Sequence, residues 1–203
     1  MNFKKDKYIV IRKAISKDLS LFVYNYFLMK RQVAKTLFET KFISPFEKMF
    51  GIWNDPQVPD TYSNYADVAG ETLLLKLQPL MEKVTKMKLL PNYSYTRIYK
   101  KGDVLKRHTD RDSCEISTTL NLGGDPWPIY LEPSGKRNAK GVKIILKHGD
   151  MLVYRGIDLE HWREAFEGDN CGQVFLHYNN AANKDAKMFD RKIHLGLPND
   201  FQR

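Results

Sequence analysis

Tyr93-Ser-Tyr-Thr-Arg-Ile-Tyr99, followed by Lys100-Lys-Gly-Asp103 and then by His108-Thr-Asp110, is the stretch on which the fold of this chain turns. Its first seven residues alternate aromatic or apolar with polar side chains, the period of a strand with two different faces. Lys100 to Asp103 has the glycine and aspartate of a turn. Downstream, six more short segments have strand character: Glu115 to Leu122, Ile129 to Glu132, Val142 to Leu146, Met151 to Tyr154, His161 to Ala165 and Gln173 to Tyr178. Short strands at such regular spacing predict a β-sandwich or barrel over residues 91–180.

Upstream of residue 91 the texture is helical. Asp18 is the expected cap of a helix running through Phe22, Tyr26 and Met29 towards Phe38, with apolar residues three and four apart. Glu71 to Lys88 is the second expected helix, with Leu73, Leu74, Leu77, Leu80, Met81, Val84 and Met87 on one face. Gly51 to Tyr65, with Pro56, Pro59 and many polar residues, reads as a loop, either a buttress or a lid over the site. The expectation is one α+β domain: helices over 1–90, the β core over 91–180 and an extension over 181–203.

Apolar residues make up 42% and charged residues 28% of the 203, a balance that supports a packed core. No run of 18 apolar residues occurs, and Arg12, Lys13 and Lys17 break the apolar stretch near the start, so neither a membrane span nor a secretory signal is expected. With Cys114 and Cys171 alone, no disulfide scaffold is indicated, and neither cysteine has a basic partner visible in sequence. A cytoplasmic setting follows as the expectation. The net charge of +9 is dispersed in short clusters such as Lys100-Lys101 and Lys106-Arg107, which suits a solvated basic surface or the attraction of anions.

His108 and Asp110 stand two apart, so an extended strand would turn both to one side. His161 is the best third ligand in a chain with only five histidines. Two imidazoles and one carboxylate make the facial set that holds iron(II) and leaves positions open. His177, His148 and His194 read as one packed strand histidine and two solvated ones. Trp127 and Trp162 read as core fillers or pocket walls.

Several ordered motifs together resemble the 2-oxoglutarate-dependent oxygenases, in particular the prolyl 4-hydroxylase-like group. Tyr99-x-x-Gly102 before His108-x-Asp110 is similar to that group's strand entering its first two ligands. Thr119-Leu-Asn-Leu122, Lys147-His-Gly-Asp-Met-Leu-Val-Tyr154 and Leu159-Glu-His161 resemble its later motifs in order. The likeness covers Tyr95 to Tyr178. It implies a double-stranded β-helix (jelly-roll, cupin-like) core, iron(II) on His108, Asp110 and His161, and hydroxylation of a C–H bond using dioxygen. It further implies 2-oxoglutarate as co-substrate, decarboxylated to succinate, and ascorbate as a supporting reductant. Tyr99 would donate its hydroxyl to 2-oxoglutarate and Thr119 would line the same cavity.

One element of the family pattern is missing. The strand after the distal histidine normally carries a Lys or Arg that clamps the far carboxylate of 2-oxoglutarate; here it reads Cys171-Gly-Gln173-Val-Phe-Leu-His177. If His161 to Arg163 and Gln173 to Phe175 formed a hairpin around Glu167-Gly168, Gln173 would occupy the clamp position without a charge. Arg163, sharing the face of His161, is the preferred substitute, and Arg97, sharing the face of Tyr99, the second. For either arginine an ion pair with Glu132 or Glu164 is the competing role. A peptide residue such as proline is the first expected substrate, with small molecules next. The rival readings are a nucleic-acid demethylase with the same iron chemistry, a non-catalytic β-sandwich binding module, and a cupin-type metal enzyme.

Overall fold

In the computed structural model, which describes residues 3–136, 139–199 and 201, the strands form two antiparallel sheets. In chain order the strands are β1 (Tyr8–Ile11), β2 (Tyr62–Tyr65), β3 (Leu89–Lys100), β4 (Leu105–His108), β5 (Ile116–Gly124), β6 (Ile129–Glu132), β7 (Val142–Ile144), β8 (Met151–Tyr154), β9 (Glu160–Arg163) and β10 (Asn170–Asn180). The larger sheet has the order β1-β8-β5-β10-β3-β2 and the smaller β4-β9-β6-β7. The helices are α1 (Phe3–Asp6), α2 (Lys17–Glu39) and α3 (Val68–Thr85). The architecture is the expected double-stranded β-helix with helices packed on one sheet.

Period-two alternation explains how one sheet serves two layers. Ile116, Leu120 and Leu122 of β5, with Ile98 of β3 and Val174, Leu176 and Tyr178 of β10, pack against Val23, Phe27 and Ala34 of α2 and Leu73, Leu74, Leu77 and Met81 of α3. Each such side chain contributes about 1.5–3 kcal/mol when fully buried. The residues in opposite phase, among them Tyr95, Arg97, Tyr99, Ser117, Thr119, Gln173, Phe175 and His177, form the other face. Near the edge of the larger sheet, Leu152 and Tyr154 of β8 pack with Ile129 and Leu131 of β6, joining the two sheets.

The helices differ from expectation in their ends and in one face. Ser16, rather than Asp18, caps α2, its Oγ accepting from Leu19 N at 3.2 Å. Phe22 and Met29 are about 70% exposed (71% and 70%), while Ser20, Val23, Phe27 and Ala34 face inward. This helix is apolar on two faces, and spacing alone does not say which one meets the sheet. Ser20 Oγ settles it, donating to the carbonyls of Asn121 and Leu122 on β5 at 3.1 and 2.7 Å. Nearby, Gly123 and Gly172 lie under the Tyr24 ring, where an added Cβ would come within 2.8 and 2.5 Å of it. Helix α3 begins three residues earlier than Glu71 and is capped by Asp67, whose Oδ1 accepts from Ala69 N at 2.8 Å. It ends before Lys86, which adopts a left-handed conformation (φ 60°), so Lys88 lies beyond the helix.

Two other readings are corrected. His161 to Arg163 and Gln173 to Phe175 do not form a hairpin, because β9 and β10 belong to different sheets. The intervening chain crosses between the layers, so His161 aligns with His108 and Leu131 whereas Gln173 aligns with Arg97 and Asn121. The last four residues of the Gly51 to Tyr65 loop form strand β2. Strand β1, unforeseen in the sequence, pairs with β8. Asp150 fastens it there, accepting from Arg12 Nη1 (2.7 Å), Lys13 N (2.9 Å) and Lys147 N (3.0 Å). The Gly149-Asp150 motif is therefore structural in this chain. Burial opposes its ionisation, but these three donors hold the Asp150 carboxyl below its usual range. Among the described residues no helix is long and apolar enough to cross a membrane.

Candidate active site

The pairing of β4 with β9 makes His108 and His161 register partners, with ring centroids 4.2 Å apart. Each imidazole is fixed by its own strand. His108 Nδ1 lies 2.7 Å from the Lys106 carbonyl and His161 Nδ1 lies 3.0 Å from the Leu159 carbonyl. A carbonyl only accepts, so each Nδ1 carries a proton, which leaves each Nε2 as the nitrogen available to a metal. Both Nε2 atoms face Asp110: Oδ1 is 3.7 Å from His108 Nε2 and 3.4 Å from His161 Nε2. The three groups offer ligand atoms that all lie within 4.8 Å of one another.

Asp110 reaches this place by a route the strand rule did not anticipate. Strand β4 ends at His108, and Asp110 lies beyond it, its N–H donating to the Gly156 carbonyl at 2.9 Å. Ser117 Oγ donates to Asp110 Oδ2 at 2.7 Å, and His177 Nδ1 approaches the same Oγ at 3.1 Å. Burial would raise the Asp110 carboxyl, yet His161, His177 and Ser117 hold it well below the usual range. Burial and the neighbouring His161 lower the His108 pKa, favouring the neutral form. His177 is thus more than core filling: through Ser117 it supports a carboxylate of the site. Groups behind a metal ligand typically set its affinity by ten- to a hundredfold. Ser117→Ala is expected to weaken cobalt(II) binding about tenfold, measured by titration; unchanged affinity would show that the Gly156 turn holds Asp110 unaided.

His108, Asp110, His161 and His177 line a cavity of ≈ 750 Å³ that also includes Tyr93, Tyr95, Arg97, Tyr99, Thr119, Tyr154 and Phe175. Two residues beyond His161, Arg163 aligns with Leu105. Its side chain is among the largest fully buried ones, 1% exposed. Nη1 donates to the Trp127 carbonyl at 2.5 Å and the guanidinium lies over the Trp127 ring at 4.9 Å. Nε and Nη2 have no partner, and among the described residues no carboxylate pairs with it. Thr119 Oγ1 and Gln173 Oε1 are likewise buried without partners. Tyr99 is fully buried against Trp127, so that indole belongs to the packing around the site.

Arg97 is differently placed. It donates to Asp55 Oδ2 (2.5 Å), Gln57 Oε1 (3.0 Å), Ser63 Oγ (3.1 Å) and Tyr99 OH (3.4 Å). Its ion-pair partner is thus Asp55 in the Gly51 to Tyr65 loop, not Glu132 or Glu164. Cys114 does have a basic neighbour: burial would raise its pKa, but His177 lowers it, and Tyr93 OH lies 3.0 Å from its Sγ. These residues come from β3, the turn before β5, and β10, so no local pattern announces the cluster. Trp162 lies away from the pocket, stacked on Tyr130 with Arg107 4.2 Å over its ring. His148 is half-buried rather than solvated, its Nε2 3.2 Å from the Gly124 carbonyl. His194 is exposed, as expected.

No family model and no curated protein sequence matches the chain. Solved structures do. A Pseudomonas putida prolyl-4-hydroxylase superposes with a TM-score of 0.63 at 12% identity, covering 88% of this chain and 95% of that one. HygX from Streptomyces hygroscopicus, with nickel and 2-oxoglutarate bound, gives 0.59 at 15% identity over 89% and 85%. The viral collagen prolyl hydroxylase of Paramecium bursaria Chlorella virus-1, in its 2-oxoglutarate complex, gives 0.58 at 12% identity over 86% and 97%. The chain therefore has the fold on which these prolyl hydroxylases and 2-oxoglutarate-binding proteins are built.

Proposed function

We propose that the protein is an iron(II)- and 2-oxoglutarate-dependent oxygenase that hydroxylates a C–H bond. Buried Arg163, two residues beyond His161 on the same face of β9 and without an anionic partner, carries this reading. An unpaired buried cation is costly, and a carboxylate arriving beside it supplies both the charge and the acceptors that Nε and Nη2 lack. The donor set fits the metal equally well: two imidazoles and one carboxylate suit iron(II) and leave part of its sphere open.

In this reading His108, Asp110 and His161 hold the iron, and Arg163 clamps the far carboxylate of 2-oxoglutarate. Tyr99, Thr119 and Gln173 provide the surrounding polar groups, and Arg97 organises the loop at the pocket. The bound metal and co-substrate supply oxidation by dioxygen, with decarboxylation to succinate. The chain's own residues fix geometry and exclude water. The Lys106 and Leu159 carbonyls accept from the two Nδ1–H groups and so aim both Nε2 atoms at the metal position, Ser117 keeps Asp110 oriented, and Trp127 and Leu105 shelter the arginine. The cavity has room for a substrate beside the co-acid. Peptides containing proline are the first substrates to try, since two proteins of like fold are prolyl hydroxylases; small molecules come next.

The test is succinate release by purified protein given iron(II), ascorbate, oxygen and 2-oxoglutarate, beside His108→Ala. Succinate formation that disappears in the variant supports the assignment. If neither iron(II) nor 2-oxoglutarate binds on titration, the oxygenase reading fails and a non-catalytic binding module replaces it.

A further inference from the structure

The segment Asn54 to Gln57 lies along the pocket between two anchors. On one side Ile52 bridges to Ser63; on the other Val58, 2% exposed, packs in the cluster of Tyr99, Leu105 and Trp127. Between them, beyond Trp53, which packs on Tyr62, the Asp55 and Gln57 side chains tie the loop down by polar contacts. Asp55 Oδ1 accepts from Gln57 N at 2.8 Å, Arg97 grips Asp55, and the Gln57 side chain bridges Arg97 and His108.

The orientation of that bridge follows from its partners. Arg97 Nη1 is 3.0 Å from the Gln57 amide and can only donate, so the amide oxygen faces it. The amide nitrogen therefore faces His108 Nε2, 2.9 Å away. Since His108 Nδ1–H is committed to the Lys106 carbonyl, Nε2 is an acceptor, and the amide N–H points into its lone pair. The same lone pair is the one turned towards the metal position. It accepts one N–H or one cation, and the positive end of an N–H bond is repelled by a cation at that place.

We propose that Gln57 competes with the metal at this site: its amide occupies the metal-binding nitrogen of His108 and must leave when a divalent cation binds. The inference rests on the metal assignment above and adds a consequence to it. Loading the site breaks one of the two side-chain bonds of Gln57 and loosens the loop at that residue, while Arg97 and Tyr95 continue to hold Asp55.

Cobalt(II) titration followed by its visible absorption, on wild type, Gln57→Ala and His108→Ala, tests this. Removing a single neutral competing hydrogen bond is expected to tighten cobalt binding about fivefold in Gln57→Ala. In wild type, amide exchange over residues 54–60 is expected to quicken on adding cobalt. If wild type binds cobalt in a His108-dependent way but Gln57→Ala shows equal or weaker affinity, this inference fails and the metal assignment stands. If wild type binds no cobalt at all, both fall together.

Discussion

Arg163→Met is expected to raise the thermal stability of the ligand-free protein while abolishing useful affinity for 2-oxoglutarate. The two effects have one cause. The guanidinium is 1% exposed, with Nε and Nη2 unpartnered and one bond to the Trp127 carbonyl. Burial pulls its pKa below the ordinary arginine value, opposed by Cys171, Tyr99 and Tyr154. Burying a cation without a counterion costs several kcal/mol, whereas methionine fills similar space with no charge. Losing the bond to Trp127 returns part of the gain, leaving a net stabilisation of about 1 kcal/mol and a rise of about 3 °C in Tm. The co-acid, in contrast, loses a forked charge pair in a dry site, so its Kd should weaken by at least about 100-fold. Thermal melts in chelator, paired with 2-oxoglutarate titration in manganese(II), measure both. A less stable variant that still binds the co-acid would make Arg163 a structural residue, and the clamp would have to be sought at Arg97.

The second large effect comes from a residue that touches no ligand. In Gly156→Ala the added methyl would stand 2.2 Å from Asp110 Oδ2, 2.6 Å from Ser117 Oγ and 2.7 Å from the Cys114 carbonyl. None of these is the free end of a long side chain, so the carboxylate itself must move. Overpacking of this kind costs about 1–3 kcal/mol, which leaves a folded protein. A carboxylate shifted off its two histidines should nevertheless lower metal affinity about 100-fold, the upper end of what disturbed support of a ligand produces. Circular dichroism would confirm the fold, and cobalt titration would read the site. Wild-type affinity in a folded variant would mean that the turn of Gly156 yields and that Asp110 is placed by Ser117 alone.

Much of the site could be read from sequence because its chemistry uses scarce residues. With five histidines in the chain, His108-x-Asp110 and His161 stood out, and alternation placed the strands around them. What could not be read was decided by contacts between distant segments. The connection from Arg163 to Asn170 is compatible with a hairpin or with a crossing between layers, and only the neighbours β3, β5 and β6 choose between them. Strand β1 exists because β8 offers it a partner 140 to 146 positions away. Gln57 and Arg97 carry no motif; they meet His108 and Asp55 only after the loop has folded back. The inward side of α2 is not legible from spacing for a similar reason, since contact with β5 selects it.

The two-faced larger sheet sets which kinds of sequence change this protein can accept through descent. On β5, Ile116, Leu120 and Leu122 serve the helices, whereas Ser117 and Thr119 serve the cavity. Point replacements at cavity positions can thus alter chemistry while leaving the helix-packed layer intact. One residue inserted or deleted within β5 would exchange the two sets, turning leucines towards the cavity and polar groups towards the helices. Lineages carrying this fold should therefore diverge by substitution within β3, β5 and β10, and confine changes of length to the connections between strands.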